Sequence, residues 1–140
     1  MSSGLEPGIK HVVTKIVQEE DTAKHIGSGG VSVLSTPTMI AWMENAALQL
    51  AEKYLPENQT TVGIHVDIYH KAPAPIGAKV NIEAELVEVK GRRLVFKVKA
   101  YSGQIIIGEG IHERYIVDKD KFKEKIKEVL EKIEKTTKTT

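Results

Sequence analysis

Residues 35–70 read STPTMIAWMENAALQLAEKYLPENQTTVGIHVDIYH, and two periods meet inside that stretch. Ser35-Thr36-Pro37 is a helix start, with Thr36 as N-cap and Pro37 at the first helical position. Met39 through Tyr54 contains no Gly or Pro and is rich in Ala, Met, Leu and Glu, which predicts one long helix that Pro56 and Asn58 end. The period then falls to two. Val62, Ile64, Val66 and Ile68 alternate with Gly63, His65, Asp67 and Tyr69, as in a strand with one apolar face. A lone long helix running into amphipathic strands must lay its apolar stripe across a sheet, so the class is α+β.

The flanks agree. Ile9 to Val17 is β-branched and reads as a first strand, and Gly27-Ser28-Gly29-Gly30 as a loop that no phosphate-binding pattern follows. Pro73, Pro75 and Gly77 break the strand that ends at His70. Val80 to Leu86, Leu94 to Ala100 and Ile105 to Val117 then alternate as three more strands, with Lys90-Gly91 and Ser102-Gly103 at the turns. Gly108 and Gly110 inside the last strand suggest a bulge or a close backbone approach. The expected order is strand, helix, four consecutive antiparallel strands and a terminal helix. Phe122, Ile126, Val129, Leu130 and Ile133 fall at helical spacing in that last segment. One domain spans 9–135, with frayed ends at 1–8 and 136–140.

Composition removes several function classes. The 140 residues suit one domain. Lys and Arg total 20 against 19 acids, so no electrostatic footprint for nucleic acid or a membrane surface is present. Cysteine is absent, which excludes disulfides and thiolate chemistry and fits a cytoplasmic location. No apolar run approaches the roughly 20 residues of a membrane span, and the first residues lack a signal-peptide core. The 17 Lys and 15 Glu hint at a heat-adapted source.

The candidate chemistry sits on the helix and the strand after it. With Ile40 at the centre of a helical wheel, Ala47, Ala51, Met43 and Tyr54 form the buried stripe, and Glu44 falls inside it. A buried carboxylate needs a partner or loses its charge. In the alternation Val62, Ile64, Val66, Ile68, His70, the histidine takes the next position on the apolar face and points to the helix that buries Glu44. A carboxylate and an imidazole in an apolar pocket form a general acid/base pair. Thr36 reads first as a helix cap, but it lies two turns before Glu44 on a similar side and could converge with the pair. The five histidines at 11, 25, 65, 70 and 112 contain no metal-binding spacing, so no metal and no cofactor is expected. His112 reads as a strand-face residue with a satisfied hydrogen bond, and Trp42 as packing on another segment or a second subunit.

The run 35–44, Gly63-Ile64-His65-Val66-Asp67-Ile68-Tyr69-His70, Pro73-Ala74-Pro75-Ile76-Gly77, Gly91-Arg92-Arg93 and Gly108-Glu109-Gly110-Ile111-His112-Glu113-Arg114 resemble the hotdog-fold thioesterases of the fluoroacetyl-CoA type. The resemblance covers roughly Val13 to Phe122. It implies a long helix wrapped by a curved antiparallel sheet of about five strands, and a homodimer or dimer of dimers with sites at the interface. It places a catalytic group on Thr36, Glu44 and His70 and a substrate-binding glycine at Gly63. The substrate it implies is an acyl-CoA, hydrolysed to a carboxylate and free CoA. At Gly29-Gly30 the chain departs from the aromatic lid of the fluoroacetyl-specialised enzyme, so a different short acyl group is expected. A non-catalytic acyl-CoA-binding module and an enoyl-CoA hydratase are the competing readings on the same fold.

Overall fold

The computed structural model describes residues 4–137. The expected fraying at 1–8 and 136–140 lies partly outside that range. Within it, Leu5 is buried and the Gly8 N–H donates to the Leu86 carbonyl, so the lead-in to the first strand is tied to the body.

Strand β1 (Lys10–Ile16) is followed by a 3-10 turn (Glu19–Asp21) and a short helix α1 (Ala23–Ile26) that Gly27 ends in the left-handed region at φ 81°. Helix α2 (Thr36–Glu52) comes next, then β2 (Gln59–His70), β3 (Lys79–Lys90), β4 (Arg93–Ser102), β5 (Ile105–Asp118) and helix α3 (Lys119–Thr137). The five strands form one open antiparallel sheet in the order β1-β3-β4-β5-β2. This is the hotdog architecture, with α2 laid across the sheet and packed on β1 to β4. The expected run of four sequential neighbours does not form. Only β3, β4 and β5 meander, and β2 crosses to the far edge of β5. The segment 71–78 is the physical cause: two prolines and the left-handed Gly77 (φ 92°) rule out a tight hairpin between β2 and β3.

The core is aliphatic. Met39, Met43, Ala46, Ala47, Leu50 and Ala51 of α2 face Val80, Ile82, Ala84 and Leu86 of β3 and Leu94, Phe96 and Val98 of β4. The small side chains at 46, 47 and 51 let the helix approach the sheet closely. The centre of this stripe lies toward Met43 and Leu50 rather than at Ile40. Tyr54 lies beyond the helix, and Glu44 sits on the flank of the stripe, half-buried. Trp42, partly buried, packs against the core.

Two glycines let β5 lie close to its neighbours, Gly110 against the backbone of β2 and Gly108 against Met39 of α2. A Cβ on Gly110 would collide with the Asp67 carbonyl oxygen, and one on Gly108 would lie 2.6 Å from Met39 Sδ. Both expected features occur: close approach at the two glycines, and a register shift beside Gly108, where Ala100 pairs with Gly108 and Tyr101 with Ile106. Helix α3 buries none of its side chains and leaves Ile126, Leu130 and Ile133 more than half exposed. No helix among the described residues is long and apolar enough to cross a membrane.

Candidate active site

The helix start differs from expectation in a way that decides what Thr36 can do. Ser35 is the N-cap: its hydroxyl accepts from the Thr38 N–H at 3.1 Å and donates to Thr38 Oγ1 at 2.6 Å. Thr36 is instead the first helical residue, and its hydroxyl is free of capping duty. It meets His70 at the end of β2, with Oγ1 2.7 Å from Nδ1. His70 is half-buried, and its Nε2 is sealed from solvent with no hydrogen-bond partner. Burial pushes the imidazole below its ordinary value, and the nearby Ala72 backbone, short of hydrogen-bond geometry at Nε2, offsets this only in part. The ring is therefore neutral near pH 7 and holds a lone pair for a proton.

This pair opens onto a cavity of about 380 Å³ lined by Thr36, His70, Ser28, Leu34, Lys71 and Pro73, among others. Its position at the start of α2 places it at the positive end of the helix dipole, which favours a developing negative charge.

Glu44 belongs to a second cluster. An α-helix rises about 1.5 Å per residue, so Glu44 lies about 12 Å along α2 from Thr36. Its neighbours are Gly63, His112 and Arg114. A Cβ on Gly63 would sit 2.9 Å from Glu44 Oε2, 3.2 Å from His112 Cε1 and 3.4 Å from Arg114 Nη1. The missing side chain at 63 is thus the floor of a small cleft walled by an acid, an imidazole and a guanidinium. Burial pushes Arg114 below its ordinary value, and the Glu44 and Glu52 carboxylates oppose that. Within one chain the fold brings His70 to Thr36, and Glu44 to Gly63.

A register slip between Gly63 and His65 explains the inner face of β2. Past the slip, Val66, Ile68 and His70 pair with His112, Gly110 and Gly108. His70 therefore shares the face of Ile68, as its spacing predicts. Ahead of the slip the parity reverses. Thr61 is buried and Gly63 faces inward opposite Arg114, while Ile64 is half exposed. One unbroken alternation from Val62 to His70 was the wrong reading, because a bulge adds a residue to one strand only.

Sequence reasoning passed over His112 and Arg114 as functional candidates. Both were visible as polar residues at the same parity as buried Ile116 in β5, the kind of mismatch that singles out Glu44 on α2. His112 does have the satisfied hydrogen bond expected of it, to the His65 carbonyl at 2.8 Å.

With this geometry in view, similarity to known proteins is informative. Residues 17–120 match the family described as fluoroacetyl-CoA-specific thioesterase. A fluoroacetyl-CoA thioesterase of Streptantibioticus cattleyicolor is 30% identical over 134 residues, covering 91% of this chain and 96% of that protein. A crystal structure of a point mutant of the fluoroacetyl-CoA-specific thioesterase with fluoroacetate and CoA superposes with a TM-score of 0.78 at 30% identity, over 84% of this chain and 98% of that one. A thioesterase superfamily member from Thermus thermophilus superposes with a TM-score of 0.86 at 28% identity, over 94% and 98% of the two chains.

Proposed function

Because the chain belongs to the fluoroacetyl-CoA-specific thioesterase family, and is a thioesterase, we propose that its substrate is a short-chain acyl-CoA and that Thr36, Glu44 and His70 carry out the hydrolysis. The observation that supports this best is the 2.7 Å contact between Thr36 Oγ1 and His70 Nδ1 at the mouth of a cavity. A threonine hydroxyl is a poor nucleophile until a base adjoins it, and here one does. His70 takes the proton of the Thr36 hydroxyl, or of a water bonded to it, as the new C–O bond forms. The C–S bond then breaks, and the imidazolium returns the proton to the leaving CoA thiolate; where Thr36 has attacked, a water deprotonated by His70 then cleaves the Thr36 ester, releasing the carboxylate and restoring the hydroxyl. Glu44, with Gly63 and Arg114 beside it, faces the acyl end.

A homodimer belongs to the same proposal. β2 is a sheet edge with half-exposed Ile64 and Val66, a surface that invites pairing. Antiparallel pairing of two β2 strands about an axis at Asp67 would, with the bulged Ile64 skipped, set His70 of one copy opposite residue 63 of the other. The Thr36–His70 pair and the Glu44–Gly63 cleft would then form one site from two chains. A monomer in analytical ultracentrifugation that retains full activity refutes this assembly.

The deciding experiment is a thiol-release assay over short and medium acyl-CoAs. Glu44→Gln and His70→Ala should each lower kcat by at least about a hundredfold with the fold intact. Near wild-type turnover by either variant refutes the assignment. Tight acyl-CoA binding with no thiol released by the wild type would favour a binding module instead.

A further inference from the structure

The wall of the Gly63 cleft contains an opposite-charge pair that does not pair. Arg114 is buried, and its Nη1 and Glu44 Oε2 both lie within 3.4 Å of the point that a Cβ on Gly63 would occupy. Among the described residues, however, Arg114 takes part in no salt bridge. A bidentate contact with a carboxylate is the strongest arrangement open to a guanidinium. Something restrains it.

The restraint is a clamp of three hydrogen bonds. Arg114 Nε donates to Thr61 Oγ1 at 2.7 Å, Nη2 donates to the Thr61 carbonyl at 3.0 Å, and Nη1 donates to His112 Nε2 at 3.1 Å. His112 can accept that last bond only in one tautomer. Its Nδ1 lies 2.8 Å from the His65 carbonyl, which can only accept, so the proton is on Nδ1 and the lone pair on Nε2. The β2 bulge between Gly63 and His65 accompanies this contact with the His65 carbonyl. A guanidinium has five N–H groups, so Nη1 at the cleft keeps one unspent beside Glu44.

We infer that His112 is a positioning residue for the hydrolysis: by holding Arg114 away from Glu44, it keeps carboxylate and cation apart as two separate charges facing the acyl group. The inference rests on Glu44 belonging to the working group proposed above. Protonation of His112 would abolish the acceptor and set a second cation against Arg114. The charged or titratable groups around the ring are Arg114 on β5, Glu44 on α2 and His65 on β2.

The test uses His112→Phe, which keeps a ring beside Phe96 but removes both nitrogens, and His112→Gln, whose amide offers a donor and an acceptor. His112→Phe should lower kcat at least about tenfold with KM within about twofold, and His112→Gln should recover most of the loss. A crystal structure of His112→Phe should show Arg114 within about 4 Å of the Glu44 carboxylate. If His112→Phe does not fold, His112→Leu, which removes the same acceptor without a ring, is read the same way. Unchanged kcat in a folded clamp variant overturns the inference. So does an equal loss in His112→Phe and His112→Gln with Arg114 still held off Glu44. Absence of thiol release by the wild type would instead defeat the hydrolase reading itself.

Discussion

Gly63→Ala separates site from scaffold most cleanly. The added methyl would stand 2.9 Å from Glu44 Oε2, 3.2 Å from His112 Cε1 and 3.4 Å from Arg114 Nη1. Residue 63 has no positive φ, so the backbone accepts alanine without strain. Replacing a strand glycine by alanine gains about 0.5–1 kcal/mol, whereas overfilling a packed site costs about 1–3 kcal/mol. The nearest atom is the tip of a flexible, half-buried side chain that can swing aside, which puts the cost at the low end. Net stability should therefore fall by no more than about 0.5 kcal/mol. Activity should suffer far more, because moving Glu44 by about 1 Å is enough to lose about a hundredfold in rate. Thermal melting alongside thiol release on the best acyl-CoA measures both. Turnover within about threefold of wild type in the folded variant would refute Glu44 as a working group, since the methyl cannot enter without displacing it.

Other expectations follow from the helix start and the two buried imidazoles. Thr36→Ser should retain most activity while Thr36→Ala loses it; equal activity in both would remove the hydroxyl from the chemistry. Ser35→Ala should cost about 1 kcal/mol and lower Tm by about 4 °C, because Ser35 rather than Thr36 caps α2, and an unchanged melt would refute that assignment. Burial holds both His70 and His112 below the ordinary histidine value. Below about pH 6.5 the unfolded chain therefore binds protons that the folded chain refuses. Unfolding free energy should be flat above that pH and fall as the pH drops toward the lowered folded values. Denaturant titrations at a series of pH values would show it, and a flat profile through the acid range would contradict the buried, neutral histidines.

Much of the architecture was legible because helix and strand have different periods. The apolar run of α2 and the alternations over Val80–Leu86 and Leu94–Ala100 each contain one period only. Strand order was not legible. The same alternation serves a meander and a crossover, and only the proline-rich segment 71–78 hinted that β2 would leave its sequential neighbour. The site divided along the same line. The inward placement of His70 was legible because residues 66–70 follow an undisturbed period, whereas the burial of Arg114 becomes intelligible only once Thr61 and His112 are seen around it. Thr36 was misread as a cap since serine and threonine compete for that role one residue apart, and the chain gave it to Ser35.

The bulge in β2 ties these points together. Had the alternation run unbroken from residue 59 to 70, Thr61 and Gly63 would turn outward whenever Ile68 and His70 turn inward. The strand could then offer His70 to Thr36, or Gly63 to Glu44, but not both. One extra residue between Gly63 and His65 lets the two halves of β2 present opposite parities to the same helix. The cost is a weaker edge, seen in half-exposed Ile64 and Val66, and that edge is the surface through which a second copy would pair. Restoring regular register by deleting Ile64 should therefore damage the cleft at Gly63 and the pairing edge together. A variant lacking Ile64 that folds, dimerises and turns over acyl-CoA as the wild type does would show that the irregularity is incidental.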